Sequence, residues 1–208
     1  DMYINVLEQL GVTDVSNHGL HIETCKEWND EVSRFYESQG VMPHDKLIGF
    51  NIGSAVPEKR WPAERFADVA DYFADKGYKT VFFGGPMDLE MVKPVVEHMK
   101  TTPIVATGAF KIGSLAAALK WCDLVITNDS GPMHVAISQG VPIVALYGPS
   151  NPFFYGPYQA KSIVLESMDH YEIGKSMKKV IKEGKYKGIS VITEEQVIKA
   201  AETLLQES

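Results

Sequence analysis

Apolar residues in this chain fall into short unbroken runs, separated by stretches of helical spacing. "KLIGFNI" (46–52), "TVFFG" (80–84), "PIVATG" (103–108), "LVIT" (124–127) and "PIVALYG" (142–148) are apolar at consecutive positions. A strand buried on both faces needs that pattern. Between the runs lies "PAERFADVADYFADKG", with Phe66, Val69, Ala70 and Phe73 on one stripe, Pro62 suited to the first turn and Gly77 past the end. "DLEMVKPVVEHM" is the next helix, which Pro94 is expected to bend or shorten. "IGSLAAALKWC" and the short "PMHVAISQ" follow the third and fourth strands. Ahead of them, a helix is predicted from Asn29, as N-cap, to Gln39, closed by Gly40. Past Pro152 the pattern weakens. "SIVLE" reads as a strand, and "TEEQVIKAAETLL" as the final helix, with Thr193 and Gln196 in capping-box positions.

Strand and helix alternate at least four times, so the predicted fold class is α/β: a doubly wound, Rossmann-like parallel sheet with helices on both sides. The first residues differ. "DMYINVLEQLGV" places Met2, Val6, Leu7 and Leu10 at helical spacing before Gly11, without a preceding cap. It reads as the last helix of a preceding unit. Residues 1–28 are therefore expected to be a connection, and 29–208 the Rossmann-like domain.

Every strand-to-helix loop of such a sheet lies at its carboxyl edge, where ligands bind near the reversal of strand order. Five loops land there: Gly53–Trp61, Gly84–Asp88, Gly108–Ile112, Asn128–Pro132 and Gly148–Tyr158. They hold most of the clustered Gly, Pro and short polar residues.

The net charge of −7 over 208 residues removes a global basic field, so nucleic acid is not expected as a partner. Cys25 and Cys122 are far apart, with no metal-ligand spacing, and read as reduced thiols. No run of 18 apolar residues and no signal-peptide pattern occurs. Neither G-x-G-x-x-G nor G-x-x-x-x-G-K-[ST] is present, which argues against a dinucleotide dehydrogenase and a P-loop NTPase.

In "NDSGPMH", Asp129 or Ser130 can cap the helix beginning near Pro132, Gly131 lets backbone approach a ligand, and His134 falls in the first turn. Free N–H groups and the helix dipole there suit an anion, most naturally a phosphate. The competing reading is a capped helix with a core histidine. The convergence of cap, glycine and imidazole on one sheet edge favours the anion. In "GSAVPEKRWP", Ser54 offers a hydroxyl, and Lys59 and Arg60 offer the charge a diphosphate requires; alone, a Lys-Arg pair is ordinary surface. Trp61 reads as core. Asp88 or Glu90 could accept from a ribose, act as a helix first-turn acid, or form a weak D-x-E metal pair. "GPSNPFFYGPY" has the residues of a pocket wall or lid.

"GSAVPEKRWP", "GGPMD", "NDSGPMHVAISQGVPIVALYGPSNP" and "ITEEQVIKAAETLL" together resemble the carboxyl-terminal domain of the family 9 glycosyltransferases, the ADP-heptose:lipopolysaccharide heptosyltransferases. The resemblance covers about Lys46 to Leu205. It implies one half of a GT-B enzyme, with the nucleotide sugar held by this half. The acceptor and the general base would then lie in an amino-terminal domain, so the base is not assignable to this chain. By the same resemblance Lys59 is the phosphate-binding lysine and Ser54 its hydroxyl neighbour. Asp129, Ser130, Gly131 and His134 form the phosphate and sugar clamp, and Glu90, before Asp88, is the nucleoside-contacting acid. Ala55 stands where some members carry a second hydroxyl. Lys59 and His134 would stabilise charge on the leaving ADP, and neither metal nor cofactor is called for. The implied partners are an ADP-sugar donor and a lipopolysaccharide-core acceptor, in the cytoplasm, with peripheral contact at the inner membrane. Other readings are another GT-B nucleotide-sugar enzyme, an epimerase or hexosyltransferase, and a non-catalytic nucleotide-binding module.

Overall fold

The computed structural model describes residues 9–12, 19–167, 177–182 and 188–207. Its centre is one parallel sheet of six strands: β1 (Leu47–Asn51), β2 (Lys79–Phe83), β3 (Ile104–Val105), β4 (Leu124–Asn128), β5 (Ile143–Tyr147) and β6 (Ser162–Glu166). Their order across the sheet is β3-β2-β1-β4-β5-β6. Ile48 sits level with Thr80 on one side and Leu124 on the other, so the order reverses between β1 and β4.

Side chains of successive strand residues leave on opposite faces. One face carries Leu47, Val81, Phe83, Val125, Ile143, Ala145 and Tyr147 in a core with the helices α1 (Lys26–Ser38), α4 (Ile112–Leu119) and α5 (Gly131–Ile137). The other carries Ile48, Phe50, Phe82, Leu124, Ile126, Val144 and Leu146. There the sheet meets α2 (Ala63–Asp75), α3 (Leu89–His98) and α8 (Glu194–Gln206). Burying each Val, Leu, Ile or Phe among them is worth about 1.5–3 kcal/mol, so the unbroken apolar runs contribute heavily to stability. Phe50 stacks on Phe82 with ring centroids 5.1 Å apart. The fully buried Tyr36 of α1 donates its hydroxyl to the Ala118 carbonyl of α4 at 3.1 Å. Gly49 is required by packing: a Cβ there would fall 3.0–3.1 Å from Phe83, Cys122 and Val125.

Several expectations are met and some are corrected. The final helix has its capping box, with Thr193 Oγ1 accepting from Gln196 N and Gln196 Oε1 from Thr193 N. "SIVLE" is the sixth strand. Gly77, at φ +88°, closes α2. The first helix, however, begins at Lys26 with Cys25 as N-cap, not at Asn29. Trp28 of the added turn packs against the core beside Gly113, a tertiary contact that periodicity does not register; Lys26 and Asp30 also pair there at 2.6 Å, and Glu27 adds an acid to the first turn. Pro62 is the N-cap of α2 and not a first-turn residue. Pro94 lies inside α3, which continues through it to His98. A short helix, α6 (Pro152–Tyr155), and 3-10 turns at Pro57–Lys59, Pro86–Asp88 and Ile189–Val191 were not anticipated. A last short helix, α7 (Met177–Lys182), precedes α8. Of the expected first helix, Met2, Val6 and Leu7 lie outside the described residues; Gly11 has φ +82°.

Candidate functional site

From β1 the chain turns to α2 on one face of the sheet, and from β4 it turns to α5 on the other. Both loops leave the carboxyl edge beside the reversal of strand order, the usual ligand position in an open α/β sheet. Most of the residues expected to carry chemistry lie in these loops or in the first turns of the helices that follow.

The 3-10 turn after β1 ends at Lys59, whose Nζ donates to Asp129 Oδ2 at 2.5 Å. Asp129 is only 6% exposed and Lys59 17%, so this is not a solvated surface pair. The same Oδ2 accepts from Ser150 Oγ, at the start of the loop after β5, at 2.5 Å. One carboxylate oxygen thus joins three loops. Arg60 is also committed, its Nε donating to the Ser54 carbonyl at 2.8 Å. Ser54 is buried, and its Oγ accepts from Val56 N at 3.4 Å. Trp61 is core, as expected: its indole N–H donates to the Ile192 carbonyl at 2.9 Å.

Two buried asparagines tie the ends of β1 and β4 together. Asn128 accepts from Trp61 N at 3.2 Å and donates to the Ile52 carbonyl at 2.7 Å, clasping the β1 loop from β4. Asn51 donates to Thr127 Oγ1 at 2.9 Å and to Ser130 Oγ at 2.7 Å. This overturns the capping expectation. Ser130 is the N-cap residue of α5 by backbone, but no side chain caps the helix. Asn51 holds the Ser130 hydroxyl, and Lys59 and Ser150 hold the Asp129 carboxylate. Asn51 Oδ1 is buried with no hydrogen-bond partner among the described residues.

Gly131 borders open space, with nothing within 4 Å of a Cβ built there. His134, in the first turn of α5, is half-buried. Burial lowers its pKa from the ordinary value, and the nearby Asp129 charge partly opposes that. A neutral imidazole that gains an anion beside it becomes easier to protonate.

The two acids after β2 separate. Asp88 folds back, its Oδ2 accepting from Gly85 N at 2.7 Å. Its carboxyl lies where a Cβ on Gly53 or Gly84 would come within 2.6 or 2.8 Å. Asp88 therefore abuts the loop that leads to Lys59. Glu90 stands out on α3, exposed and paired with Lys93 at 2.5 Å. Ser54, Lys59, Asp129, Ser130, Gly131 and His134 all follow the carboxyl ends of the adjacent strands β1 and β4, and no contact among the described residues joins Glu90 to them. Among those residues no group of three or more His, Cys, Asp or Glu side chains gathers as a metal would need, so the D-x-E pair has no third ligand.

The loop after β5 forms the outer wall. Asn151 caps α6 by accepting from Phe153 N at 2.8 Å. Tyr147, buried in the sheet, donates its hydroxyl to the Tyr155 carbonyl at 2.6 Å. Gly156 comes so close to the Pro152 carbonyl that a Cβ would sit 2.2 Å away. This frame presents Phe153, Phe154 and Tyr155 to solvent, exposed by 84%, 52% and 60%. Ser150, Asn51, Asn128 and Thr127 were not singled out from the sequence. A lone serine in a Gly-Pro turn and polar residues ending apolar strands carry no distinguishing signal.

A family model described as Glycosyltransferase family 9 (heptosyltransferase) matches residues 3–187. The lipopolysaccharide heptosyltransferase 2 of Escherichia coli K12 is 33% identical over 164 residues, spanning 76% of this chain and 47% of that protein. The crystal structure of a family 9 glycosyl transferase from Veillonella parvula has 77% identity and a TM-score of 0.95, covering all of this chain and 60% of its own. The structure of the E. coli ADP-heptose LPS heptosyltransferase II has 28% identity and a TM-score of 0.73, over 90% of this chain and 54% of that one. The chain spans about half the length of the curated relatives it matches. Among the described residues, no helix is long and apolar enough to cross a membrane.

Proposed function

The chain belongs to glycosyltransferase family 9, the heptosyltransferase family, and from that premise we propose that it is the nucleotide-sugar-binding half of a GT-B enzyme. That enzyme transfers a heptose from ADP-heptose to a lipopolysaccharide inner-core acceptor. The observation that carries the reading is the Lys59–Asp129 pair at the reversal of strand order, a largely buried ammonium at the carboxyl edge of the sheet. An E. coli relative of known structure is an ADP-heptose LPS heptosyltransferase, which supplies the donor class.

In the reaction an acceptor hydroxyl oxygen bonds to the anomeric carbon as the bond from that carbon to the β-phosphate oxygen breaks. The acceptor's proton passes to a base in the amino-terminal half, and the electron pair leaves with ADP. Lys59 is the cation for that diphosphate. Burial lowers the His134 pKa, and an anion beside the imidazole would favour its protonated form. Ser54 and Ser130 lie at the loop ends as hydroxyl donors, and Gly131 gives the diphosphate room. Preorganised groups of this kind are worth about 10²–10³ in rate each when aimed at developing charge. Asp88, seated against the Gly53 loop, is the better placed of the two acids to meet the nucleoside; Glu90 would have to leave Lys93 to do so. The protein would act at the cytoplasmic face of the inner membrane, on an acceptor held there.

Calorimetry tests the donor class. ADP should bind this chain, and NAD should bind more weakly or not at all; equal or tighter NAD binding would replace the reading with a dinucleotide module. Acceptor-dependent release of ADP from ADP-heptose tests the division of labour. The chain alone should bind donor without turnover, and an amino-terminal half from the family should restore transfer. Turnover by these 208 residues alone would place the whole active site in this domain.

A further inference from the structure

We propose that Ser150 is a positioning residue, which acts on the nucleotide diphosphate through Asp129 and Lys59 without touching it. The inference rests on the diphosphate reading above and extends it to a residue of a third loop. Ser150 is buried, and its hydroxyl donates to Asp129 Oδ2. That oxygen also receives the Lys59 ammonium. The serine sits beside a hydrogen-bonded turn. It precedes Asn151, which caps α6, and the far end of that helix is tied to the sheet by Tyr147.

The arrangement answers an electrostatic problem. Asp129 is almost fully buried and carries the same sign as the ligand. When a diphosphate draws on the Lys59 ammonium, the Asp129 carboxylate keeps less of its only ion-pair partner among the described residues. A buried carboxylate left without donors is costly. Ser150 supplies a donor that the ligand cannot draw away, because its hydroxyl is buried against Asp129. The carboxylate therefore stays fixed, and Lys59 can be shared with the ligand. Without Ser150, Asp129 binds Lys59 alone, and the ammonium is both less well placed and less available.

The test is a double-mutant cycle on ADP binding, read by calorimetry. Ser150→Ala should weaken ADP about tenfold, equivalent to about 1.4 kcal/mol, with adenosine binding unchanged. Ser150→Cys, nearly isosteric but a weak donor, should match it, which guards against a folding defect in the alanine variant. Ser150→Thr keeps the hydroxyl and should restore parental affinity. In a Lys59→Ala background, Ser150→Ala should have no further effect. The proposal is overturned if parent and Ser150→Ala bind ADP alike, or if Thr does not rescue. It is also overturned if the loss persists in the Lys59→Ala background, since Ser150 would then act on the ligand directly or through general loop damage. Failure of the parent itself to bind ADP is a separate outcome: it removes the diphosphate reading and this inference with it.

Discussion

Lys59 Nζ meets Asp129 Oδ2 at 2.5 Å across 70 residues of sequence, and it does so where the sheet reverses its order. Breaking one side of this pair strands a charge that is hardly exposed. Lys59→Met should therefore destabilise the fold by about 3 kcal/mol, toward the range for buried pairs. Lys59→Met combined with Asp129→Leu should recover most of that. Urea denaturation of the three variants measures it. A single-variant loss below about 0.5 kcal/mol would class the pair with ordinary surface bridges.

Binding separates from stability in a second measurement. Lys59→Ala should weaken ADP by about 1.5–3 kcal/mol, the range for hydrogen bonds to charged groups, and leave adenosine nearly unchanged. An ADP affinity equal to the parent's would remove Lys59 from the site.

Gly53→Ala should be costly although its φ is ordinary. The new Cβ would sit 2.6 Å from the Asp88 carboxyl, which would have to give up the Gly85 N–H. Overpacking of this kind costs about 1–3 kcal/mol. Adding Asp88→Gly should relieve the clash and restore part of the thermal midpoint. If the double variant is no more stable than Gly53→Ala, the clash with Asp88 is not the cause.

Acid should weaken the fold through His134. The unfolded chain takes up this proton near the ordinary value of 6.5, while burial lowers the folded value below it. Between those two values unfolding binds a proton, so stability rises with pH there. The His134 contribution is complete above about pH 6.5 and is lost as pH falls through the folded value. Stability of the parent relative to His134→Gln should therefore drop between pH 7 and pH 5. Saturating ADP should shrink the drop if the diphosphate lies beside the imidazole. A constant difference across that range would contradict the assignment.

ADP affinity should survive EDTA. Asp88 Oδ2 already accepts from Gly85 N and Glu90 pairs with Lys93, so neither carboxylate is presented to a metal jointly with the other. A loss of tenfold or more, about 1.4 kcal/mol, restored by Mg²⁺, would revive the D-x-E pair.

The sheet was legible because burial on both faces leaves few choices: Leu124–Ile126 and Ile143–Leu146 must be apolar at every position, and their loops must then fall on one edge. That edge put Lys59 and Asp129 on one side of the sheet, and the family resemblance grouped them around a phosphate. What the sequence hid was which polar partner each residue takes. Ser130 has the sequence of a helix cap, yet its hydroxyl goes to Asn51, because a strand end that is remote in sequence is adjacent in space. Ser150 meets Asp129 for the same reason, across 21 residues and two elements. Asn29 is not the helix start because the turn before it is also helical, and Trp28 in that turn packs against the core beside Gly113. Propensity and periodicity describe neighbours along the chain, and these choices depend on neighbours across it.

The pairing of β1 with β4 also has a consequence for biosynthesis. Asn51 and Thr127 are 76 residues apart, and their side chains join only when those strands zip together. At about 5–20 residues per second a ribosome takes about 4–15 s to cover that gap. Once Lys79–Phe83 have followed, β1 has β2 for one neighbour and, until β4 arrives, a bare edge on the other side, along five residues that are all buried in the finished fold. An unpaired apolar edge is adhesive, so the nascent domain spends those seconds as a natural client for chaperones. The Lys59–Asp129 pair forms only after β4 has been made, and a truncated polypeptide ending before Asp129 lacks it altogether.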